Sequence, residues 1–153
     1  MLLQTQGAPA PNGTQNAIAA GPLLSQTFPN GTKYIAVPRD DENVNIFEHS
    51  ANTAVGLRHG GTELLLVTAD GYDGCSFFDP TCGIEAYPFA DYMIEVLDVD
   101  SSMNMDQGGS TTMWIKGEDP TRNGVVSCSQ NAKCDGQPRH LYSGLFVGLH
   151  RSP

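Results

Sequence analysis

Charge is missing from the first fifth of this chain. Residues 1–32 contain no Asp, Glu, Lys, Arg or His, and the first charged side chain is Lys33. The segment is rich in Gln, Asn, Gly, Ala, Pro and Thr and is too poor in apolar residues to build a core alone. Burying it would desolvate no charge, so we expect residues 1–32 to form an extended arm along a neighbouring subunit; a flexible tail is the alternative. The arm would contact that neighbour through its apolar side chains, Leu2, Leu3, Ile18, Leu23 and Leu24.

Basic residues are also scarce. Eight Lys and Arg face 17 Asp and Glu, which gives a net charge of −9, and no run of basic residues offsets it. Nucleic acids and anionic lipids are bound by basic side chains, so the composition argues against both as partners. No apolar stretch reaches the roughly 18 residues that a membrane span requires, and membrane insertion is not expected.

Recognisable catalytic motifs are absent as well. The sequence contains no H-E-x-x-H, no G-x-S-x-G, no phosphate-binding P-loop and no dinucleotide-binding glycine motif. It contains no C-x-x-C either, so a thioredoxin-type redox site has no support. From these absences the sequence does not predict an enzyme or a cofactor.

Short β-strand patterns fill the chain after Lys33. Runs of β-branched or alternating residues are separated by Gly, Pro, Asn and Asp, which is typical of a sandwich or barrel. We therefore predict one all-β domain over residues 33–153, an antiparallel β-sandwich or jelly roll of about eight strands. The runs lie at 33–37, 43–48, 53–57, 63–69, 92–99, 111–117, 124–128 and 140–150. The run at 63–69 is continuously apolar and reads as a strand covered on both faces. A helical turn is indicated only near Phe89 to Met93.

Four cysteines lie in two local pairs, Cys75 with Cys82 and Cys128 with Cys134. Their spacings of C-x6-C and C-x5-C are longer than structural zinc sites use, so disulfides fit better. Local pairing within each loop is favoured, and pairing between the two loops stays open. Disulfides indicate an oxidising location, which we expect to be extracellular or on a virion surface.

One loop has oxygen-bearing side chains at alternate positions. They belong to Asp98, Asp100, Asn104 and Asp106, and calcium is the cation that such oxygens would suit. An EF-hand is excluded because Met103 stands at the required glycine and no Glu closes the loop. The favoured interpretation is a solvated acidic turn.

Aromatic residues supply another candidate surface. Phe77 and Phe78 are adjacent inside the first cysteine loop, where one of them could anchor a partner. Packing of both over the sheet edge is the alternative. Trp114 is expected in the core.

The arm, the disulfides and the missing motifs together favour a structural or interaction protein. The leading hypothesis is a surface component of a larger homo- or hetero-oligomeric assembly, such as a virion decoration or minor capsid protein. A secreted module that binds glycans or host proteins is the alternative. A secreted hydrolase that uses His59 or His140 is the third hypothesis.

Overall fold

The computed structural model describes residues 12–13, 20–37, 49–71, 82–128, 137, 140 and 144–148. These residues form five strands and one α-helix. In chain order they are β1 (Leu23–Thr27), β2 (Lys33–Ile35), β3 (Asn52–Arg58), β4 (Glu63–Ala69), α1 (Ala86–Glu95) and β5 (Ser101–Gln107). Two short 3-10 turns follow, at Gly108–Ser110 and Pro120–Arg122.

The five strands form one antiparallel sheet in the order β2-β1-β5-β3-β4. The last strand in sequence, β5, is therefore the central one. The prediction of a mostly β, antiparallel fold is confirmed at this level. The sandwich or jelly roll of about eight strands is not confirmed, because the strands between residues 20 and 128 that the structure describes lie in a single sheet.

Strand β1 lies inside the segment that the sequence assigned to the arm. Leu24 is fully buried in the core between sheet and helix, and Leu23 packs against the cluster on the opposite face. Both side chains thus contact the sheet of their own chain. Leu2, Leu3 and Ile18 lie outside the described residues, so the arm stays a prediction for that part of the segment.

Helix α1 occupies part of the run predicted as a strand over residues 92–99, and that prediction is wrong. The buried residues of the helix recur every three or four positions and form one stripe along it, at Ala86, Phe89, Ala90 and Met93. Pro88 stands in the first turn, where its missing N–H costs no helical hydrogen bond. The stripe packs on the sheet with Leu24, Ala54 and Val99 to form the main core. No helix in the described ranges has the length and apolarity that crossing a membrane needs.

The predicted strands at 53–57 and 63–69 are present as β3 and β4, paired over their whole length. Strand β4 lies at the sheet edge, where Leu64 and Leu66 are exposed, so it is not covered on both faces as expected. In the regions predicted as strands at 111–117 and 124–128, the structure has a single bridge between Trp114 and Val125. The run at 43–48 lies outside the described residues.

Candidate functional site

The two ends of the sheet differ in chemistry. At one end, which we call the charged end, Lys33 pairs with Asp98 and Arg58 pairs with Glu63. Hydrogen bonding to Lys33 lowers the pKa of Asp98, and hydrogen bonding to Arg58 lowers the pKa of Glu63. His59 also contacts Glu63, at 3.1 Å. Each charged group here has a counter-charge, which is typical of a solvated, structural surface.

The other end, which we call the polar end, lies where β3 begins and β5 ends. There Asn104 donates from Nδ2 to Oδ1 of Asn52 at 3.2 Å. Asn52 in turn donates from Nδ2 to the carbonyl of Ile84 at 2.8 Å and to Oγ of Ser50 at 3.2 Å. Ser50, Asn52 and Asn104 are all buried. These three side chains form a connected polar group inside the fold, which we call the amide cluster.

Several buried polar atoms at this end have no hydrogen-bond partner in the described part of the chain. They include Oδ1 of Asn104 and the hydroxyls of Thr111 and Thr112. Asn104 is only 4% exposed and Thr111 is fully buried. An unpaired buried polar atom costs about 1–3 kcal/mol, so a ligand or water that bonds to these atoms would be stabilised there. Nε of Arg58, at the charged end, is likewise without a partner in the described residues, so the grouping of three such atoms at the polar end is the distinguishing feature.

The backbone explains how these groups come together. The register of β5 against β3 slips between the Ala54–Asn104 and Asn52–Gln107 pairs, which places a β-bulge at Met105–Asp106. Immediately afterwards the 3-10 turn at Gly108–Ser110 bends the chain, and the Gly108 N–H donates to the carbonyl of Ala51 at 2.7 Å. Bulges are frequent beside active sites because they redirect side chains. The bulge and turn bring the 104–112 segment around the start of β3.

Two kinds of ionisable group lie close to the amide cluster along the chain. His49 lies 3.0 Å from Glu85, Nε2 to Oε1, and both side chains are partly exposed. They are held there because their neighbours Ser50 and Ile84 form a β-bridge. Asp106 is exposed on the bulge, where its Oδ1 accepts a hydrogen bond from the Gln107 N–H. The polar end therefore combines donors and acceptors with groups able to exchange protons.

Both described cysteines adjoin the polar end and both are disulfide-bonded. Cys82 lies two residues before Ile84, and the carbonyl of Cys128 accepts a hydrogen bond from Gly71, just after β4. Cys75 and Cys134 lie outside the described residues, as do Phe77 and Phe78. A disulfide therefore restrains the chain at Cys82 and at Cys128, beside the polar end.

The predicted calcium ligands are not gathered in one loop. Asp98 pairs with Lys33 at the charged end, and Asp100 accepts a hydrogen bond from the Gly60 N–H at 2.8 Å. Asn104 and Asp106 lie at the polar end, beyond the middle of β5. No group of three or more His, Cys, Asp or Glu among the described residues is placed to hold a metal ion. Calcium binding stays an untested prediction.

No sequence pattern points to Ser50, Asn52 or Thr111. Of the residues at the polar end, the sequence predicts only Asn104 and Asp106 as site residues, and it predicts them in a loop. The available signal was the density of small polar residues over 101–112, which follow the buried Val99 directly. Polar residues in a central strand need partners on neighbouring strands, and that pairing appears only in the folded chain.

One comparison with known proteins identifies the family of the chain. A family model described as phosphodiester glycosidase matches residues 2–147, almost the whole chain of 153 residues. Comparison with curated proteins and with solved structures gives no match.

This match overturns the leading hypothesis from the sequence. The prediction of a non-enzymatic surface component, such as a virion decoration or minor capsid protein, is wrong, because the family is one of hydrolytic enzymes. The absence of familiar motifs does not exclude an enzyme, since a site assembled from separate parts of a chain leaves no compact local pattern. The chain belongs to the phosphodiester glycosidase family.

Proposed function

We propose that this protein is a hydrolase that cleaves the bond between a sugar and a phosphodiester, and that its active site is the polar end of the sheet. The family supports the reaction class. The observation that carries the location is the set of buried, unpaired polar atoms at Asn104, Thr111 and Thr112. Sugar hydroxyls and phosphate oxygens are ligands that such atoms would satisfy.

The leaving group determines which proton transfers the reaction needs. Water attacks the anomeric carbon, the bond from that carbon to the phosphate oxygen breaks, and a phosphomonoester departs with the electron pair. A phosphate is a stable anion, so its departure needs less proton donation than departure of an alcohol. The water proton must pass to a base, and carboxylates do this work in most glycosidases.

Asp106 is our candidate for that base. Its carboxylate is exposed at the polar end and has no ion-pair partner among the described residues. The second candidate group is the His49–Glu85 pair, in which the carboxylate orients the imidazole. The start of helix α1, one residue after Glu85, adds backbone N–H groups that favour a bound anion.

The disulfides support an oxidising, extracellular location. Association with protein neighbours through the part of residues 1–32 that precedes β1 remains a further prediction, separate from the catalytic proposal.

Three substrate types test the proposal. Hexosyl phosphodiesters should be hydrolysed, whereas sugar-free phosphodiesters and simple alkyl hexosides should not. Asp106→Asn should lower kcat by about 100-fold or more, the usual contribution of a general base. Asp98→Asn is the matched control, because it changes the same kind of side chain at the charged end and should leave kcat unchanged. Equal loss in both variants, or turnover of the sugar-free diesters alone, would contradict the proposal.

A further inference from the structure

Trp114 is exposed, although the sequence predicted that it lies in the core. Its side chain is 58% accessible to solvent. The indole Nε1 donates to the carbonyl of Asn123 at 2.7 Å, so the pyrrole edge of the ring is tied to the backbone. The exposed surface must then come mainly from the ring faces and the benzene edge. A tryptophan that is both fixed and open presents a flat apolar platform.

The backbone around Trp114 is held on both sides of the residue. The Ile115 N–H donates to the carbonyl of Gly124 at 2.8 Å, and the Val126 N–H donates to the carbonyl of Met113 at 2.9 Å. The ring also lies so close to Gly124 that a Cβ there would be 2.7 Å from Nε1. The platform therefore needs little ordering when a ligand binds, and a ligand loses less free energy in using it.

Its position relative to the polar end follows from the chain. Trp114 comes three residues after Thr111, and three residues of extended backbone span at most about 11 Å. Met113 between them is fixed by its N–H, which donates to Oγ of Ser127 at 2.8 Å. The backbone of Trp114 thus lies within about 11 Å of the backbone of Thr111, one of the two threonines with an unpaired hydroxyl.

We propose that Trp114 is the stacking platform for the sugar ring of the substrate. This inference rests on the proposed function. Every substrate of that reaction contains a sugar, whereas the alcohol on the other side of the phosphate varies. The C–H groups on one face of a pyranose pack on an indole face, while its hydroxyls turn to the polar atoms of the site. Trp114 would then be a binding and specificity residue, and bond cleavage would depend on other groups.

Fluorescence reports on this platform directly, because Trp114 is the only tryptophan in the chain. The full-length protein is titrated with methyl hexosyl phosphodiesters of both anomeric configurations, with methyl hexosides and with dimethyl phosphate. We expect a saturable change in emission with the two sugar-bearing probes and none with dimethyl phosphate. A change with dimethyl phosphate alone, or none with a sugar probe that the enzyme hydrolyses, would overturn the inference while leaving the proposed function intact. Saturable sugar binding without any hydrolysis would support the platform and reject the proposed function.

Kinetics of variants give the second readout. Trp114→Ala should raise KM by about fivefold to tenfold with kcat within about twofold, the size of effect that aromatic stacking supports. Trp114→Phe keeps an aromatic face but loses the Nε1–Asn123 hydrogen bond, so it should recover most of the affinity if stacking matters. Tyr92→Ala is the matched control, since Tyr92 is an exposed aromatic on α1. An unchanged KM in a folded Trp114→Ala protein, checked by thermal unfolding, would overturn the inference.

Discussion

Asn104 donates its amide to Asn52 across neighbouring strands, Nδ2 to Oδ1 at 3.2 Å, and leaves its own Oδ1 without a partner in the described part of the chain. The pair links the central strand β5 to the segment before α1, because Asn52 also donates to the carbonyl of Ile84. A buried acceptor that is held in place and has no donor among the described residues can accept a hydrogen bond from a ligand.

Replacement of Asn104 by alanine should impair activity far more than its effect on folding explains. We expect kcat/KM to fall by at least about tenfold, because one buried hydrogen bond to the substrate is lost. Stability should fall by about 1–3 kcal/mol, since Asn52 loses its donor. Steady-state kinetics and urea unfolding measure the two effects.

Ser102→Ala is the control for that variant. Ser102 is buried on the same strand and hydrogen-bonds Ser25, away from the polar end. It should lose a comparable amount of stability and keep its kcat/KM. If both variants lose activity in proportion to stability, the amide cluster is only a structural element.

Gly83 should tolerate no side chain. Its φ is +90°, and a Cβ would overlap the carbonyl of Ser50 in the amide cluster. Gly83→Ala should cost more than the ~1–2 kcal/mol of the left-handed backbone alone, because overpacking adds about 1–3 kcal/mol. Gly60→Ala separates the backbone cost from the overpacking cost, because Gly60 has a φ of +68° and open space around it. Equal destabilisation in the two variants, measured by chemical unfolding, would contradict this assignment.

The ion pair of Lys33 and Asp98 should make stability depend on pH in the acid range. The pKa of Asp98 is lowered in the folded protein, first by its hydrogen bond to Lys33. Its stabilising contribution is therefore fully present above the ordinary aspartate value of 3.8 and is lost as pH falls through the lowered value. Asp98→Asn should flatten this acid limb of the stability curve without altering catalysis, and asparagine suits the local φ of 55°.

A double-mutant cycle isolates that contribution. In a Lys33→Met background, Asp98→Asn should have a smaller effect on acid unfolding, because the partner is already gone. An acid limb that is unchanged by Asp98→Asn alone would show that other carboxylates control it.

Reduction of the disulfides should affect the polar end first. Cys82 lies two residues before Ile84, whose carbonyl accepts a hydrogen bond from Asn52, and the carbonyl of Cys128 accepts one from Gly71, just after β4. Each broken disulfide should lower the free energy of unfolding by about 2–4 kcal/mol, and the melting temperature should fall with it. Activity should be lost at temperatures below this lowered melting temperature. Thermal unfolding with and without reductant, followed by reoxidation, measures this. An unchanged melting temperature would show that the disulfides do not constrain this end.

The sequence predicted the positions of β3 and β4 because their apolar pattern is visible in the local sequence alone. Strand β5 was read as an acidic turn, since Ser102 and Asn104 are polar although both are buried. Their burial is stabilised by Ser25 and Asn52 on neighbouring strands, and no local pattern shows that pairing.

Helix α1 was indicated only as a helical turn near Phe89 to Met93, for a related reason. Alternation after Tyr92 fits a strand, while the stripe of Ala86, Phe89, Ala90 and Met93 fits a helix. Over so short a segment, both the two-residue period of a strand and the 3.6-residue period of a helix are present. Packing on the sheet determines that the segment is helical. The same limit applied to the site, whose residues come from the start of β3, the end of β5 and the turn after it.

In the proposed reaction the protein breaks the bond between the sugar and the phosphate oxygen. Hydrolysis of a hexosyl phosphodiester in 18O-labelled water, followed by mass spectrometry of both products, shows which bond breaks. We predict that the label enters the free sugar and that the phosphomonoester carries none. Label in the phosphate, or absence of turnover across the hexosyl panel, would contradict it.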